Sequence, residues 1–352
     1  MLNTFKFLIF IIPHHHIGGA ERVHLDIIKS LKRKPIIFFD YSNSQQISKE
    51  FSEHAYCFLV TSHKRIKFAI RFIKIASSFL PIVVFGCNSS LFYKIISKVK
   101  NKVKSIDLTH AFSFPEKGME ILSLPYVDLI DTRVVINNRT YEDYKKLYEL
   151  NKIDTFFLKR FKIIPNGVEI KEFFSNKIDS RFSNFTIGFV GRNSPEKRPE
   201  LFFNIVKKVK VKAKVIGDRF DNFKKDFPEV CYFENCNNKE LIRKHFSEIS
   251  LLVVTSSREG FPLVIMEAME LGIPVISTDV GSIAEHLIND KNGYIISTIE
   301  ENEILNFIVA KIEYMISNKE IYCKLSLNAR QYACDHFDNQ IFEQKYHELF
   351  YE

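Results

Sequence analysis

The chain has 352 residues, of which 46% are hydrophobic and 26% charged, and this predicts a globular protein of about two domains. No apolar run is long enough for a transmembrane helix, and the short segment Phe7 to Ile12 is not followed by the cleavage site of a signal peptide. The six scattered cysteines form no C-x-x-C pair, which argues against a disulfide scaffold and indicates reduced core residues of a cytosolic protein.

The net charge of +8 is concentrated in the N-terminal third of the chain. Residues 1–110 contain 17 Lys and Arg against 6 Asp and Glu, whereas residues 111–352 contain 33 against 36. Such a local excess of positive charge predicts an anionic partner for this part of the protein.

The first predicted strand, Phe5 to Ile12, leads into a loop that contains three consecutive histidines and then Gly18 and Gly19. Two glycines between a strand and a helix let the backbone approach a ligand closely, but their spacing is not the G-x-G-x-x-G of a dinucleotide site. Adjacent histidines on a loop point in different directions, and no carboxylate stands at ligand spacing. The sequence therefore favours a polar cleft lining over a metal site here.

Strands are predicted at Pro35 to Asp40 and Cys57 to Val60, and the helix after them, Ser62 to Leu80, has three stripes. One stripe is apolar and faces the core. The second is basic and consists of Lys64, Lys67, Arg71 and Lys74. The third, of large apolar residues between the other two, consists of Phe68, Phe72, Ile75 and Phe79. Such a helix resembles one at a membrane interface, and the alternative is an internal helix covered on two sides by protein.

Two further strands, Ile82 to Gly86 and Ser105 to His110, continue the series. His110 ends its strand at the edge where α/β sheets bind ligands, which makes it a candidate site residue, although a lone His is often structural. Pro165-Asn166-Gly167 after a strand is turn chemistry and predicts a domain boundary. Beyond it the alternation of strands and helices begins again.

The strand Phe185 to Val190 leads into a loop in which Gly191 is followed by two cations, Arg192 and Lys197. A guanidinium can bind phosphate through two hydrogen bonds and an ammonium supplies a point charge, so the pair suits a phosphate group. The same pattern alone also occurs in basic surface loops.

The stretch Leu251 to Thr278 predicts a strand, a turn, a helix, a turn and a strand. We place Pro262 at the first helical position, where its missing N–H has no cost. Amides near the start of this helix suit a phosphate, and they belong to Phe261, Leu263 and Val264. Glu259 in the turn and Glu267 in the helix suit hydrogen bonds from sugar hydroxyls. A solvated helix end with Glu267 on its outer face is the alternative.

These features resemble a known family. The pair Glu259 and Glu267 in EGFPLVIME is similar to the E-x7-E signature of retaining glycosyltransferases of the GT-B fold, often called group 1 or family 4. The loop with Arg192 and Lys197 resembles that family's phosphate loop. The chain departs from the family at Glu169, where the hinge normally has Asp, and at Arg198 and Ser282, where Gly is common.

The resemblance implies an α/β architecture of two Rossmann-like, doubly wound parallel-sheet domains that face each other across a cleft. Residues 1–164 would bind the acceptor and residues 165–335 the nucleotide sugar. Residues 336–352 would form a helix that crosses back to the N-terminal domain.

The resemblance also implies roles for the site residues. The catalytic candidates are His110, Arg192, Lys197 and Glu259. The candidates for donor binding are Gly18, Gly19, Gly191, Arg192, Lys197, Glu259, Gly260, Phe261, Leu263, Val264 and Glu267. Because the sequence contains no D-x-D motif, we expect the protein's own cations to neutralise the diphosphate, and we predict neither a metal nor a cofactor.

The implied activity is that of a hexosyltransferase, which moves a hexosyl group from a nucleotide-diphosphate sugar to a lipid-linked or polysaccharide acceptor with retention. We expect it in bacterial cell-surface glycan synthesis (lipopolysaccharide, capsule or exopolysaccharide), in the cytoplasm and peripheral on the inner face of the plasma membrane. An anionic membrane surface is an expected partner and nucleic acid is not. The alternatives are a sugar-nucleotide epimerase of GT-B fold and a non-catalytic membrane-associated binding protein.

Overall fold

The computed structural model describes residues 6–14, 19–41, 48–99, 102–112, 118–234 and 238–352. The chain divides into two compact units, which we call the N-terminal unit (Met1–Asn166 with Gln340–Glu352) and the C-terminal unit (Gly167–Asn339). The observed boundaries follow Asn166 and Asn339. The boundaries expected from the sequence, after residues 164 and 335, lie a few residues earlier.

The N-terminal unit is built on a parallel sheet that has seven strands in the described part of the chain. The strands are β1 Phe7–Ile12, β2 Ile36–Phe39, β3 Tyr56–Leu59, β4 Ile82–Cys87, β5 Val103–Thr109, β6 Thr132–Val135 and β7 Phe161–Ile163. Their order across the sheet is β3-β2-β1-β4-β5-β6-β7. The direction of winding therefore reverses between β1 and β4, and this is where open α/β sheets form a ligand crevice.

Helices connect these strands, as parallel pairing requires. They are α1 Gly19–Lys29, α2 Lys49–His54, α3 His63–Ala76, α4 Ser90–Val99, α5 Met119–Leu122 and α6 Asn138–Leu150. The central strands β1 and β4 read FLIFII and IVVFGC because both faces of a parallel sheet are covered by helices.

The C-terminal unit repeats the same winding with six strands among its described residues. They are β8 Thr186–Val190, β9 Lys212–Ile216, β10 Cys231–Phe233, β11 Leu251–Val254, β12 Val275–Thr278 and β13 Gly293–Ile296, in the order β10-β9-β8-β11-β12-β13. The helices are α7 Asn176–Ser183, α8 Pro199–Lys208, α9 Asp221–Asp226, α10 Lys239–Ser247, α11 Leu263–Glu270, α12 Glu301–Ser317 and α13 Lys319–His336. The predicted class of two doubly wound parallel α/β domains is confirmed.

The last helix, α14 Asn339–Tyr351, packs with the N-terminal unit. Tyr346 and Phe350 are buried, and their ring centroids lie 6.3 and 5.7 Å from that of Phe85 on β4. Lys104 of β5 donates a hydrogen bond to the carbonyl oxygen of Leu349 at 3.1 Å. Apolar burial and this bond attach the end of the chain to the first sheet.

An ion pair lies inside the N-terminal unit, between Asp107 of β5 and Arg133 of β6. The two residues are neighbours in the sheet register, and both side chains are buried with 3.3 Å between charged atoms. Tyr93 donates to the same carboxylate at 3.0 Å, and Arg133 donates to Ser123 at 2.9 Å. Burial raises the pKa of Asp107 against the charge of Arg133 and the hydrogen bond from Tyr93, so the carboxylate depends on these partners to stay ionised.

Helix α3 buries only a narrow face. Ala69 and Ile73 lie in the core, and Phe72 is half-buried against it, so Phe72 does not belong to the exposed apolar stripe predicted from the sequence. Phe68 and Phe79 are 72% and 81% exposed. The basic stripe is exposed along its whole length: Lys64, Lys67, Arg71 and Lys74. Helix α3 is therefore not an internal helix covered on two sides by protein.

Within the described ranges, no helix combines the length and apolar character needed to cross a membrane.

Candidate active site

The candidate site lies where the winding of the C-terminal sheet reverses, between the neighbouring strands β8 and β11. The loop of residues 191–198 follows β8 and leads into α8, and the loop of residues 255–262 follows β11 and leads into α11. Since the strands are adjacent and parallel, both loops leave the same edge of the sheet. Strand order thus brings together two motifs that are about 60 residues apart in sequence.

The centre of this site is an ion pair between Lys197 and Glu259. Lys197 Nζ lies 2.5 Å from Glu259 Oε1, and the side chains are 20% and 12% exposed. The hydroxyl of Ser256 donates to the same carboxylate oxygen at 2.7 Å. The sequence identified both charged residues but missed Ser256, whose signal was a hydroxyl directly after a strand and three residues before the glutamate.

Arg192 stands apart from this pair, with its side chain 80% exposed and a guanidinium nitrogen 3.6 Å from Glu196 Oε1. Burial opposes ionisation of Glu196, but the hydrogen bond from Ser194 and the charges of Arg192 and Lys197 outweigh it and lower the pKa of Glu196. The loop of residues 191–198 therefore carries three cations, Arg192, Lys197 and Arg198, and one carboxylate, Glu196.

Arg198 adopts the left-handed conformation that glycine favours, with φ of 46°. This geometry costs about 1–2 kcal/mol for a residue with a Cβ. The guanidinium offsets that cost, because it donates to the carbonyl oxygens of Thr255 at 2.6 Å and Ser256 at 3.2 Å. The hydroxyl of Thr255 in turn donates to the carbonyl of Lys197 at 2.8 Å. Arg198, which stands where the family commonly has Gly, therefore links the two site loops through hydrogen bonds.

Gly281 fixes the position of the Glu259–Gly260 turn. Its φ is 61°, and a Cβ on it would lie 2.2 Å from the carbonyl oxygen of Gly260. Ser282, which replaces the family's second Gly, donates its N–H to the same oxygen at 2.9 Å. A site supported in this way needs a glycine at residue 281 but not at residue 282.

The helix α11 begins one residue later than predicted. Pro262 is its N-cap and Leu263 its first residue, so the amide of Phe261 precedes the helix and does not belong to its first turn. The amides of Leu263 and Val264 do lie in that turn, where the helix itself offers no carbonyl acceptor. Phe261 is buried, with its ring 4.5 Å from that of His286. It therefore contributes packing at this position. Glu267 is half-buried on α11.

In the N-terminal unit, His110 follows β5 and meets a second histidine that the sequence analysis missed, His24 of α1. Their Nε2 atoms lie 3.4 Å apart. Loss of hydration lowers the pKa of His110 to about 4, so the ring is neutral at pH 7. Gly19 is the first residue of α1 and no described atom would lie within 4 Å of a Cβ on it, while Gly18 lies outside the described residues.

A cavity of about 310 Å³ lies elsewhere in the C-terminal unit, beside Glu270 of α11. This buried carboxylate binds the guanidinium groups of Arg243 and Arg330 and accepts a hydrogen bond from the backbone N–H of Lys171 at 3.1 Å. Through these contacts Glu270 links α11 to α10, to α13 and to the start of the C-terminal unit. The surroundings of this cavity are therefore structural.

Comparisons with known proteins identify the class of protein to which this chain is similar. Residues 170–332 match the model of the family described as "Glycosyl transferases group 1". The chain is 29% identical over 266 residues to an uncharacterized glycosyltransferase of Methanocaldococcus jannaschii, covering 66% of this chain and 73% of that protein. It is 22% identical over 333 residues to the O-antigen biosynthesis glycosyltransferase WbnH of Escherichia coli, covering 91% and 93%.

The same fold occurs in a solved structure of HepE from Anabaena, determined in complex with UDP-glucose. The TM-score is 0.75 at 17% identity, and the similarity covers 98% of each chain. The fold and the sequence relatives together show that this chain is a glycosyltransferase of the GT-B fold. Its match to the group 1 family lies in the C-terminal unit, which contains the site described above. This enzyme class sets aside both the epimerase and the non-catalytic binding protein.

Proposed function

We propose that the enzyme transfers a hexosyl group from a nucleotide-diphosphate sugar to a lipid-linked or polysaccharide acceptor with retention at the anomeric carbon. The observation that carries this proposal is the contact between Lys197 and Glu259, 2.5 Å apart. It joins a cation suited to phosphate and a carboxylate suited to sugar hydroxyls at one edge of the sheet.

Lys197 and Glu259 neutralise each other's charge in this contact. A bound diphosphate would offer Lys197 a stronger anionic partner, and Glu259 would then be released to accept hydrogen bonds from the hydroxyls of the transferred sugar. Arg192, which is exposed beside the same loop, would complete the neutralisation of the phosphates. We propose that no metal is needed at this step, because two cations are already provided.

In the reaction the bond between the anomeric carbon and the phosphate oxygen breaks, and its electron pair leaves with the nucleoside diphosphate. The acceptor oxygen bonds to the same carbon from the same face and passes its proton to the departing phosphate oxygen. The amides of Leu263 and Val264 and the two cations stabilise the charge on the leaving group. Glu267 would accept from the ribose, and His110 would lie beside the reacting sugar.

The relative named for O-antigen biosynthesis supports a role in bacterial cell-surface glycan synthesis. A thermal-shift screen against nucleotide sugars tests donor binding, because a ligand of the folded state raises the melting temperature by mass action. With the donor so found, nuclear magnetic resonance of the product reports the anomeric configuration. A product of inverted configuration would overturn retention, and the absence of a shift with every nucleotide sugar would overturn the donor class.

The two glutamates should differ in which ligand they affect. We expect Glu267→Gln to weaken binding of the bare nucleoside diphosphate, because the Glu267 carboxylate would accept a hydrogen bond from the ribose. Glu259→Gln should weaken binding of the nucleotide sugar more than that of the bare nucleotide. Calorimetric titration of both ligands into both variants measures this, with the exposed Glu200→Gln as the control. Equal losses for both ligands in both variants would show that the roles are wrongly divided.

We also propose that the N-terminal unit docks on an anionic cytoplasmic leaflet through α3, close to a lipid-linked acceptor. Four exposed basic side chains there could contribute about 4 kcal/mol, at about 1 kcal/mol each. The exposed rings of Phe68 and Phe79 would add an apolar contribution that salt does not screen. The enzyme would then be a peripheral protein on the inner face of the plasma membrane.

Vesicle sedimentation should show binding that requires anionic lipid and weakens at 1 M salt, where the Debye length is about 3 Å. Replacing the basic stripe of α3 by Gln (Lys64, Lys67, Arg71 and Lys74) should abolish the part that depends on anionic lipid. A control variant removes four exposed charges from the C-terminal unit instead: Lys207, Lys208, Lys210 and Lys212. Equal sedimentation of the two variants, or a parent that ignores anionic vesicles, would contradict the proposal.

A further inference from the structure

Three side chains of metal-ligand type meet at the carboxyl edge of the N-terminal sheet: His24, Cys87 and His110. His24 lies on α1, which follows β1, while Cys87 ends β4 and His110 follows β5. Since β1, β4 and β5 are neighbours in the sheet, the strand order brings these residues together at the point where the winding reverses. One potential ligand atom from each lies within 4.8 Å of the others.

The spacing of the two imidazoles fits a tetrahedral metal. Two nitrogens that are each about 2.0–2.1 Å from a tetrahedral Zn²⁺ lie about 3.3 Å apart. The Nε2 atoms of His24 and His110 lie 3.4 Å apart. A thiolate at about 2.3 Å is the usual third ligand type beside imidazole in such sites. The sulfur of Cys87 lies within 4.8 Å of the potential ligand atoms of the two histidines.

The three side chains lie in a largely buried environment. His24 is 2% exposed, and its Nδ1 atom has no hydrogen-bond partner among the residues that the structure describes. The described protein atoms therefore do not fill the bonding capacity of this buried ring, and coordination through Nε2 alone would leave Nδ1 in the same state. Cys87 is fully buried at the end of β4.

We propose that His24, Cys87 and His110 bind one zinc-type dication, with the fourth coordination position open to water. His110 is the half-exposed member of the three and would border that position, whereas the other two ligands are buried. This metal site belongs to the N-terminal unit. Arg192 and Lys197, the cations proposed to neutralise the diphosphate, belong to the C-terminal unit and keep that role.

Cobalt titration of the chelator-treated full chain tests the proposal, because Co²⁺ replaces Zn²⁺ and absorbs visibly in tetrahedral sites. We expect one equivalent to bind, with a near-ultraviolet thiolate-to-cobalt charge-transfer band, and Zn²⁺ to displace it. Cys87→Ser should remove that band, and His24→Val should weaken cobalt binding on the order of 10-fold or more. Cys231→Ser, which changes an exposed cysteine, is the matched control and should retain the band.

Zinc should also raise the melting temperature of the parent and of Cys231→Ser but not that of Cys87→Ser, and this readout verifies that each variant is folded. A parent without the charge-transfer band, or a band that survives in Cys87→Ser, would overturn the site.

One consequence rests on the proposed function. Bound zinc should slow transfer by the parent enzyme, because His110 cannot bind metal and contact a substrate through the same nitrogen. Absence of inhibition in a protein that shows the charge-transfer band would overturn only that consequence.

Discussion

Lys197→Ala is expected to lower turnover on the order of 10²-fold or more, and Arg192→Ala to have an effect of similar size. Both cations lie in the loop after β8, and negative charge on the leaving diphosphate increases as its bond to the sugar breaks. Loss of one preorganised charge at this point raises the barrier more than it weakens substrate binding. Steady-state kinetics with the identified donor measure the effect.

The exposed Lys210→Ala in the same unit provides a control for a general loss of positive charge and should keep the parent rate. Because Lys197 is paired with Glu259 at 2.5 Å, their effects should not add. The double variant Lys197→Ala/Glu259→Gln should lose less than the product of the two single losses. Near-parent turnover in both Lys197→Ala and Arg192→Ala, with donor bound normally, would contradict the assignment of the diphosphate site.

Arg133→Met is expected to destabilise the N-terminal unit by about 3–5 kcal/mol, because it leaves the buried carboxylate of Asp107 without its charged partner. The aromatic ring of Tyr144, 4.4 Å from the guanidinium, would lose a cation–π contact in the same variant. Urea unfolding followed by circular dichroism measures the change in the midpoint of the transition. Replacing both members, in Asp107→Asn/Arg133→Met, should cost less than Arg133→Met alone.

The matched control is Arg139→Met on α6. Arg139 also pairs with an aspartate, Asp143, at 3.5 Å, but its side chain is 64% exposed. An exposed pair of this kind contributes about 0–1 kcal/mol. If both variants lost the same small amount, the interior pair would contribute no more than a surface one.

The local elements of this fold could be predicted from the sequence. Runs such as Leu251 to Thr255 are apolar on both faces and end at polar residues, and Pro, Gly and Ser positions mark where helices begin and end. Most predicted ends differ from the observed ones by a residue or two, as at Pro262, which precedes α11 and does not open it. Helix α3 differs more, because it ends at Ala76, four residues before the predicted Leu80. The charged residues of the site, Arg192, Lys197, Glu259 and Glu267, could also be named, because they match the motifs of a known family. Their spacings alone also fit a basic surface loop and a solvated helix end.

The contacts between distant loops could not be predicted, because side-chain periodicity is a local property while strand order is a global one. Lys197 and Glu259 meet only because β8 and β11 are neighbours, and Arg198 supports their loops through carbonyls that no sequence pattern marks. The sequence shows three consecutive histidines in a loop, where chain geometry disfavours binding of one metal ion by all three. The three proposed ligands lie on α1 (His24), at the end of β4 (Cys87) and directly after β5 (His110), so no local spacing marks them as a group.

The sequence by itself therefore determined the alternation of strands and helices and the two-domain organisation, and its family resemblance named the charged residues of the two site loops. The tertiary structure alone decided which side chains share a site, which glycine is required, and which face of α3 is exposed. The reason is physical. Hydrophobic patterning says that a face is apolar but not how much neighbouring protein covers it, and Phe68 and Phe72 differ only in what the fold places against them.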